Sequence, residues 1–166
     1  MLRILIIFGL VLSTADADKS SLLKGVTKYV IKTFSKPKKP INFKYRGKKN
    51  PKTGVRYNKK GYPVFPSVAT CDMKLSYFER EFDKFKNSST IRSKHFRICS
   101  KQLYKRLKNN PTLKSRFSNA QIRQLRNGKT PDRYTWHHEP KSNRLSLVDR
   151  ELHAQTKHSG GFSLFH

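Results

Sequence analysis

The sequence has few acidic residues for its length. Only 10 of its 166 residues are Asp or Glu, against 37 Lys and Arg, and the formal net charge is +27 at pH 7. Solubility does not require an excess of this size, so we expect a polyanionic partner, with nucleic acid as the first choice and an anionic membrane as the second. The few acids form no motif of paired catalytic carboxylates.

A long apolar run is also missing. Ile4 to Leu12 is apolar but too short to span a bilayer. Arg3 precedes this run, and Ala15-Asp16-Ala17 follows it as a small-x-small cleavage site. We therefore predict that residues 1–17 are a signal peptide cut before Asp18 and that the protein is secreted, with an uncleaved anchor as the alternative.

Cysteine is scarce, since only Cys71 and Cys99 are present. Their spacing does not match a zinc-binding cysteine cluster. In a secreted chain an even count allows one disulfide, which would stabilise the fold by on the order of 3 kcal/mol. The alternative, which the sequence leaves open, is that both are small apolar residues of the core.

Positive charge is abundant near the N-terminus, where residues 18–60 form a basic arm. Residues 19–35 have apolar side chains at helical spacing and either lie on an anionic membrane or pack on their own domain. Residues 36–60 carry eleven basic residues, three prolines and no acid, so we expect an extended segment that contacts phosphates, or else a solvated linker. The candidates for phosphate contact are Lys48, Lys49, Lys59 and Lys60. The candidates for base stacking are Phe43, Tyr45 and Tyr57.

Residues 61–166 are predicted to form one domain in which helices precede a C-terminal hairpin, with residues 68–85 open between strand and helix. Ile91–Lys108 is expected to be a helix with one apolar stripe, and His95 beside that stripe is expected to be structural. Ser118 with Gln121 three residues later predicts a capping box at the start of a further helix.

The C-terminal part has the pattern of a hairpin followed by a helix. Arg133–His138 and Arg144–Val148 alternate in polarity and are predicted to be strands around a short turn. Asp149 fits the N-cap of a helix Arg150–Lys157, which Ser159-Gly160-Gly161 would stop.

Four of the six histidines lie in this hairpin and helix or directly after them: His137, His138, His153 and His158. The hairpin should bring His137 or His138 beside His153. His158 lies five residues after His153, on a different side of an ideal helix, and it joins the group only if the helix has ended and the chain has turned back. Imidazoles bind divalent metals, and a neutral histidine can take a proton from water during phosphodiester hydrolysis. The surrounding positive charge favours neutral imidazoles.

Several short motifs extend over residues 61–166. In the hairpin and helix they are Tyr134-Thr-Trp-His-His138, Leu145-x-Leu147-Val148, Leu152-His153 and His158-x-Gly160-Gly161-Phe-Ser163. Upstream they are Gly61-Tyr-Pro-Val-Phe65, His95-Phe96-x-x-Cys99 and Gly128-Lys-Thr-Pro131. With these residues the chain resembles the WHH branch of the HNH/endonuclease VII nuclease superfamily, whose members are common DNase domains of bacterial polymorphic toxins.

The resemblance implies an α+β fold in which helices precede a C-terminal ββα-metal unit. It also implies a toxin-like or effector-like endonuclease without sequence preference. The expected substrate is DNA, and RNA is the less favoured alternative. In such a nuclease His137, His153 and His158 would bind one divalent metal and His138 would be the general base. Many relatives have a third histidine where this chain has Glu139, which weakens a role for that position. Imidazole ligands suit zinc or nickel, while Mg²⁺ prefers oxygen ligands, so the choice among Mg, Zn, Ni and Mn stays open.

Arg133 and Arg150 are candidates for phosphate contact because they lie near the histidines in sequence. An immunity or inhibitor protein is an open partner, and no signal indicates oligomerisation. One alternative function is a non-catalytic cationic protein that binds nucleic acid or acts on membranes, although it does not explain the four histidines. Another is a metal-free ribonuclease that uses a histidine pair for acid and base.

Overall fold

A computed structural model describes residues 39–73, 88–140 and 143–159. The predicted signal peptide, the amphipathic segment 19–35 and the Gly160-Gly161 motif lie outside these residues, so the predictions for them stay predictions. All described residues belong to one compact unit that begins at Lys39.

The described residues contain five strands in two antiparallel sheets. The smaller sheet pairs β1 (Arg56–Tyr57) with β2 (Pro63–Val64). The larger sheet has the strand order β3-β5-β4, with β3 at Ser67–Asp72, β4 at Tyr134–His138 and β5 at Arg144–Asp149. Strands β4 and β5 are the predicted hairpin, to within one residue at each end. Strand β3 pairs with the other side of β5, which makes β5 the central strand.

Four α-helices lie in the described part of the chain: α1 (Ser88–Lys108), α2 (Pro111–Lys114), α3 (Asn119–Arg126) and α4 (Arg150–Gln155). Helix α3 begins with the predicted capping box, in which the Ser118 hydroxyl accepts from Gln121 N and the Gln121 side chain accepts from Ser118 N. The prediction of an α+β fold is confirmed. None of the described helices is long and apolar enough to cross a membrane.

The larger sheet separates two hydrophobic cores, because side chains alternate between the two faces of each strand. Helices α1 to α3 cover one face, and the most buried side chains there include Leu103, Leu125, Trp136, Leu145 and Leu147. A smaller core on the other face consists of Val55, Phe65, Val148 and the partly buried Leu152. The helix-side core therefore fixes the sheet, while the second face is only partly covered by apolar side chains.

A disulfide joins Cys71 on β3 to Cys99 on α1. Of the two alternatives that the sequence leaves open, the structure has the bonded one. The two cysteines are 28 residues apart, and closing a loop of that length stabilises the folded state by roughly 3–4 kcal/mol. The bond lies in the helix-side core and links that core to the sheet.

The described part of the basic arm is folded, whereas the sequence predicts an extended segment. Val55 and Tyr57 are only 3% and 1% exposed. A turn returns the chain on itself, since Asn50 N donates to Val55 O and Tyr57 N donates to Lys48 O, both at 2.8 Å. The expectation was wrong here because it relied on the dense positive charge and gave no weight to the apolar side chains of Val55 and Tyr57, which this unit buries. The domain boundary at residue 61 stays a prediction.

Candidate functional site

Three histidines converge on the sheet face opposite the helices α1 to α3. Nδ1 of His137 lies 3.2 Å from Nε2 of His153 and 3.3 Å from Nε2 of His158. One ring nitrogen from each residue falls within 4.8 Å of the other two. We call His137, His153 and His158 the histidine cluster.

Each member of the histidine cluster comes from a different local structure. His137 is on β4, and His153 is on α4, whose N-terminus is capped by the predicted Asp149 side chain accepting from Leu152 N. Helix α4 ends at Gln155, two residues before the predicted end at Lys157. The chain turns at the helix C-cap and returns His158 to the cluster, so the turn that the sequence required does occur, and it precedes the glycines.

Phe65 contacts all three rings of the histidine cluster. Its ring centroid lies 4.8 Å from that of His137 and 5.2 Å from those of His153 and His158. Phe65 is 9% exposed and belongs to the smaller core. It therefore ties the orientation of the imidazoles to the packing of that core.

Burial lowers the pKa of all three cluster histidines. The pKa of His137 falls from 6.5 to about 2, first because of burial and then because of the nearby imidazoles of His158 and His153. The pKa of His153 falls to about 4, again through burial first and His158 second. Burial also lowers the pKa of His158, although a hydrogen bond to Thr156 opposes it. All three rings are neutral at pH 7, the state that binds metals.

Two of the three spacings between these neutral nitrogens fit one divalent cation. Two nitrogens bound tetrahedrally to one ion at about 2.0–2.1 Å lie roughly 3.3–3.4 Å apart. The two separations that involve His137 are 3.2 and 3.3 Å. A set of three imidazoles suits zinc or another transition metal better than Mg²⁺. The cluster could therefore hold a metal, whose identity stays open.

His138 points to the opposite face of the sheet, as strand alternation requires. Its Nε2 lies 3.0 Å from Nδ1 of His95 on α1, and its ring centroid lies 5.7 Å from that of Phe96. His138 is 7% exposed and His95 is 1% exposed. We call His95 and His138 the histidine pair. The role of His138 as general base stays a prediction.

Glu139 returns to the same face as His137, two residues further along the chain. Its carboxylate accepts a hydrogen bond from the Ser146 hydroxyl, and Ser146 is the cross-strand partner of His137. The resemblance described above gave this position little weight because its pattern has histidine there. In the structure the hydrogen bond from Ser146 on β5 holds the Glu139 carboxylate beside the end of β4.

The predicted phosphate-binding residues are all exposed. Arg133 and Arg150 come together, since Arg150 N donates to Arg133 O at 2.8 Å and Arg150 Nε donates to Tyr134 O at 3.2 Å. The four lysines of the arm that the sequence nominates are Lys48, Lys49, Lys59 and Lys60. Their contact with nucleic acid stays a prediction. Tyr57 is buried, which makes the expectation that it stacks on a base wrong.

Sequence reasoning missed two contributors to this site. Phe65 stood within a recognised motif, Gly61–Phe65, but nothing in that motif indicated contact with histidines. Thr156 is fully buried and accepts from His158 Nδ1 through its carbonyl at 2.5 Å. A buried threonine directly before two polar residues gives no distinct sequence signal.

Residues 55–160 match a family model described as the DNase/tRNase domain of colicin-like bacteriocin. The match covers more than half of the 166 residues. It includes the five strands and four α-helices of the described residues and the whole histidine cluster. No curated protein and no solved structure matches the chain.

Proposed function

Since the chain belongs to the family of DNase/tRNase domains of colicin-like bacteriocins, and is thus a nuclease toxin domain, we propose that it is a metal-dependent endonuclease of the WHH type. It hydrolyses phosphodiester bonds of nucleic acid without sequence preference, and DNA rather than RNA is its proposed substrate. One observation carries this proposal, the convergence of three neutral imidazole nitrogens from β4, α4 and the segment after α4.

In this proposal His137, His153 and His158 hold one divalent cation, which would supply neutralisation of negative charge on the phosphate oxygens. His138 takes a proton from the attacking water, and its Nε2 lies 3.0 Å from Nδ1 of His95. The contact with His95 fixes the orientation of the base. The assignment of ligand to His137 and base to His138 follows the pattern of the nuclease superfamily that the sequence resembles.

The exposed basic residues would bind the phosphate backbone. Such contacts give affinity without reading sequence, which agrees with the net charge of +27. Secretion through residues 1–17 belongs to the same proposal. Inhibition by an immunity protein is a further part of it, and the charge favours an acidic inhibitor. For residues 19–35, packing on their own domain is favoured over contact with an anionic membrane.

Plasmid cleavage by the purified full chain tests the proposal. Mg²⁺, Mn²⁺, Ni²⁺ and Zn²⁺ are supplied separately, with EDTA as the negative control and an RNA of similar length as the second substrate. We expect nicking with at least one ion, loss of nicking in EDTA, and loss of nicking in His153→Ala. Gln155→Ala, an exposed change on the same helix, is the matched control and should cleave normally.

DNA binding without cleavage under every metal would contradict the enzyme and leave a cationic binding protein. Cleavage of RNA alone, unaffected by EDTA, would favour the metal-free ribonuclease.

A further inference from the structure

The three members of the histidine cluster are not held equally well by their own secondary structure. His137 lies within β4 and His153 within α4, whereas His158 follows α4 in a segment without regular structure. Local hydrogen bonding therefore positions the first two rings. The position of His158 depends on contacts with other parts of the chain.

A continuous set of contacts leads from the basic arm to His158. The Thr53 hydroxyl lies 3.0 Å from the Thr156 hydroxyl, across 103 residues of sequence. Thr156 has no exposed surface, and its carbonyl accepts from His158 Nδ1 at 2.5 Å. With its proton on Nδ1, His158 turns the lone pair of Nε2 toward His137 Nδ1, 3.3 Å away. Outer hydrogen bonds of this kind orient ligating histidines in metal sites.

The arm also contacts the two neighbours of His158. The Asn42 side-chain amide donates to Lys157 O, and the Tyr57 hydroxyl lies 3.4 Å from the same carbonyl. Ile41 N donates to the Ser159 hydroxyl at 3.1 Å. Residues on both sides of His158 are therefore bonded to the segment 41–57.

The turn that presents Thr53 is itself well ordered by hydrogen bonds. The Asn50 side chain accepts from Lys52 N at 2.9 Å and from Thr53 N at 3.3 Å, which is the Asx-turn geometry that asparagine favours. Gly54 N donates to Asn50 O at 2.8 Å. Because this turn fixes the backbone, its threonine can act as a stable support.

Most of this support lies outside the family match, which begins at residue 55. Ile41, Asn42 and Thr53 all precede it. These residues before the match contact the segment after α4, which lies within the match.

We propose that the segment 41–57 is a brace for His158 and that Thr53 is a positioning residue of the metal site. The brace acts through Thr156, whose carbonyl selects the tautomer and direction of the His158 ring. This role is separate from any contact of the arm with nucleic acid. It deepens the proposed function and rests on its metal site.

Binding of Zn²⁺ to the full chain, measured by isothermal titration calorimetry, tests the brace without using catalysis. Thr53→Val removes the hydroxyl at nearly constant shape, and we expect a loss of roughly 10- to 100-fold in Zn²⁺ affinity, the range for outer hydrogen-bond partners of metal ligands. Thr53→Ser should restore most of the affinity. Thr112→Val, an exposed change on α2, is the matched control and should bind as the unchanged protein does.

A double variant separates positioning from general destabilisation. If Thr53 acts through His158, Thr53→Val causes no further loss of affinity once His158→Ala is present. The visible absorption of bound Co²⁺, which reports coordination geometry, should shift in Thr53→Val toward the spectrum of His158→Ala.

Equal Zn²⁺ affinity in Thr53→Val and in the unchanged protein would overturn the brace while leaving the metal site intact. The brace would also be overturned if Thr53→Val lowered Zn²⁺ affinity by the same factor in the unchanged protein and in His158→Ala. The effect of Thr53 would then not pass through His158. Failure of the unchanged protein to bind Zn²⁺, Co²⁺, Ni²⁺ or Mn²⁺ would instead reject the metal site of the proposed function, and the brace with it.

Discussion

Strand β4 carries two neighbouring histidines whose surroundings differ. His137 faces two other imidazoles and Phe65, and burial lowers its pKa to about 2. His138 faces α1, where it meets His95 and Phe96. A single strand thus supplies one ring to a cluster of three nitrogens and the next ring to a contact within the helix-covered face.

The difference shows how one pair of adjacent residues can serve two chemical tasks. The cluster face gathers neutral nitrogens at ligand spacing, which suits a cation. The other face holds one imidazole against a second, which fixes its direction and suits a proton carrier or a structural contact. The first three of the following changes each act mainly on one of the two faces, so together they measure how independent the faces are.

His138→Ala should produce the largest separation between the faces. If His138 is the base, the cleavage rate falls by about a hundredfold to ten-thousandfold while Zn²⁺ affinity is unchanged. Rates of plasmid nicking and calorimetric titration with Zn²⁺ are the two measurements. His95→Gln, which leaves His138 in place, should cost less activity than His138→Ala.

A purely structural histidine pair would give a different result. His138→Ala and His95→Gln would then lower the free energy of unfolding by similar amounts. Activity would recover at temperatures at which the variants are folded, and that recovery would reject His138 as the base.

Loss of the disulfide should affect the helix-side core and leave the cluster face intact. Replacing Cys71 and Cys99 together by alanine removes the bond between β3 and α1. We expect the free energy of unfolding, measured with urea, to fall by roughly 3–4 kcal/mol, with Zn²⁺ affinity of the folded variant unchanged. Reduction of the unchanged protein is the control. A large loss of Zn²⁺ affinity at temperatures where the variant is folded would show that the two faces are coupled.

Lowering the pH should reduce the free energy of unfolding of the metal-free protein through the histidine cluster. The pKa of His137 is about 2 in the folded state and 6.5 in the unfolded chain, so below pH 6.5 the unfolded chain binds a proton that the folded protein does not. Stability therefore falls as pH falls, by about 2 kcal/mol between pH 7 and pH 5 for His137 alone. Urea unfolding at the two pH values measures it, and Gln155→Ala should show the same dependence. Equal stability at pH 7 and pH 5 would contradict the burial of His137 as a neutral ring.

Local signals predicted the parts of the fold that depend on neighbours in sequence. The capping box at Ser118, the N-cap at Asp149 and the alternation around Trp136 each occur where the sequence indicates, because their hydrogen bonds and periodicity involve only a few successive residues. The same local reasoning placed His137 or His138 beside His153, since a hairpin followed by a helix has few ways to pack, and the structure has His137 there. It also required a turn before His158, without locating it at Thr156.

The parts that were not predicted depend on contacts between distant residues. His95 and His138 are 43 residues apart, and Thr53 and Thr156 are 103 residues apart. No periodicity connects such positions, and the charge of the arm favoured an extended segment. The sequence predicted that His95 lies on a helix beside its apolar stripe. Its contact with His138 follows only from the packing of α1 on the sheet.

The smallest predicted effect concerns Arg133, which precedes β4 and points into neither core. Its φ of 70° lies in the left-handed region, which costs a non-glycine residue roughly 1–2 kcal/mol. Glycine avoids this cost but loses about 0.5–1 kcal/mol through the entropy of the unfolded chain. Arg133→Gly should therefore leave the free energy of unfolding unchanged or raise it by up to about 1.5 kcal/mol.

The same change should weaken nucleic-acid binding, because it removes an exposed guanidinium while the bond from Arg150 N to Arg133 O is retained. Binding to duplex DNA over a range of salt concentrations measures this, and the slope of log affinity against log salt should fall by about one for one lost phosphate contact. Arg133→Lys keeps the charge and the strained backbone, so its salt slope should match that of the unchanged protein. An unchanged slope in Arg133→Gly would remove Arg133 from the phosphate-binding surface, and a clear loss of stability would mean that its side chain supports the entry to β4.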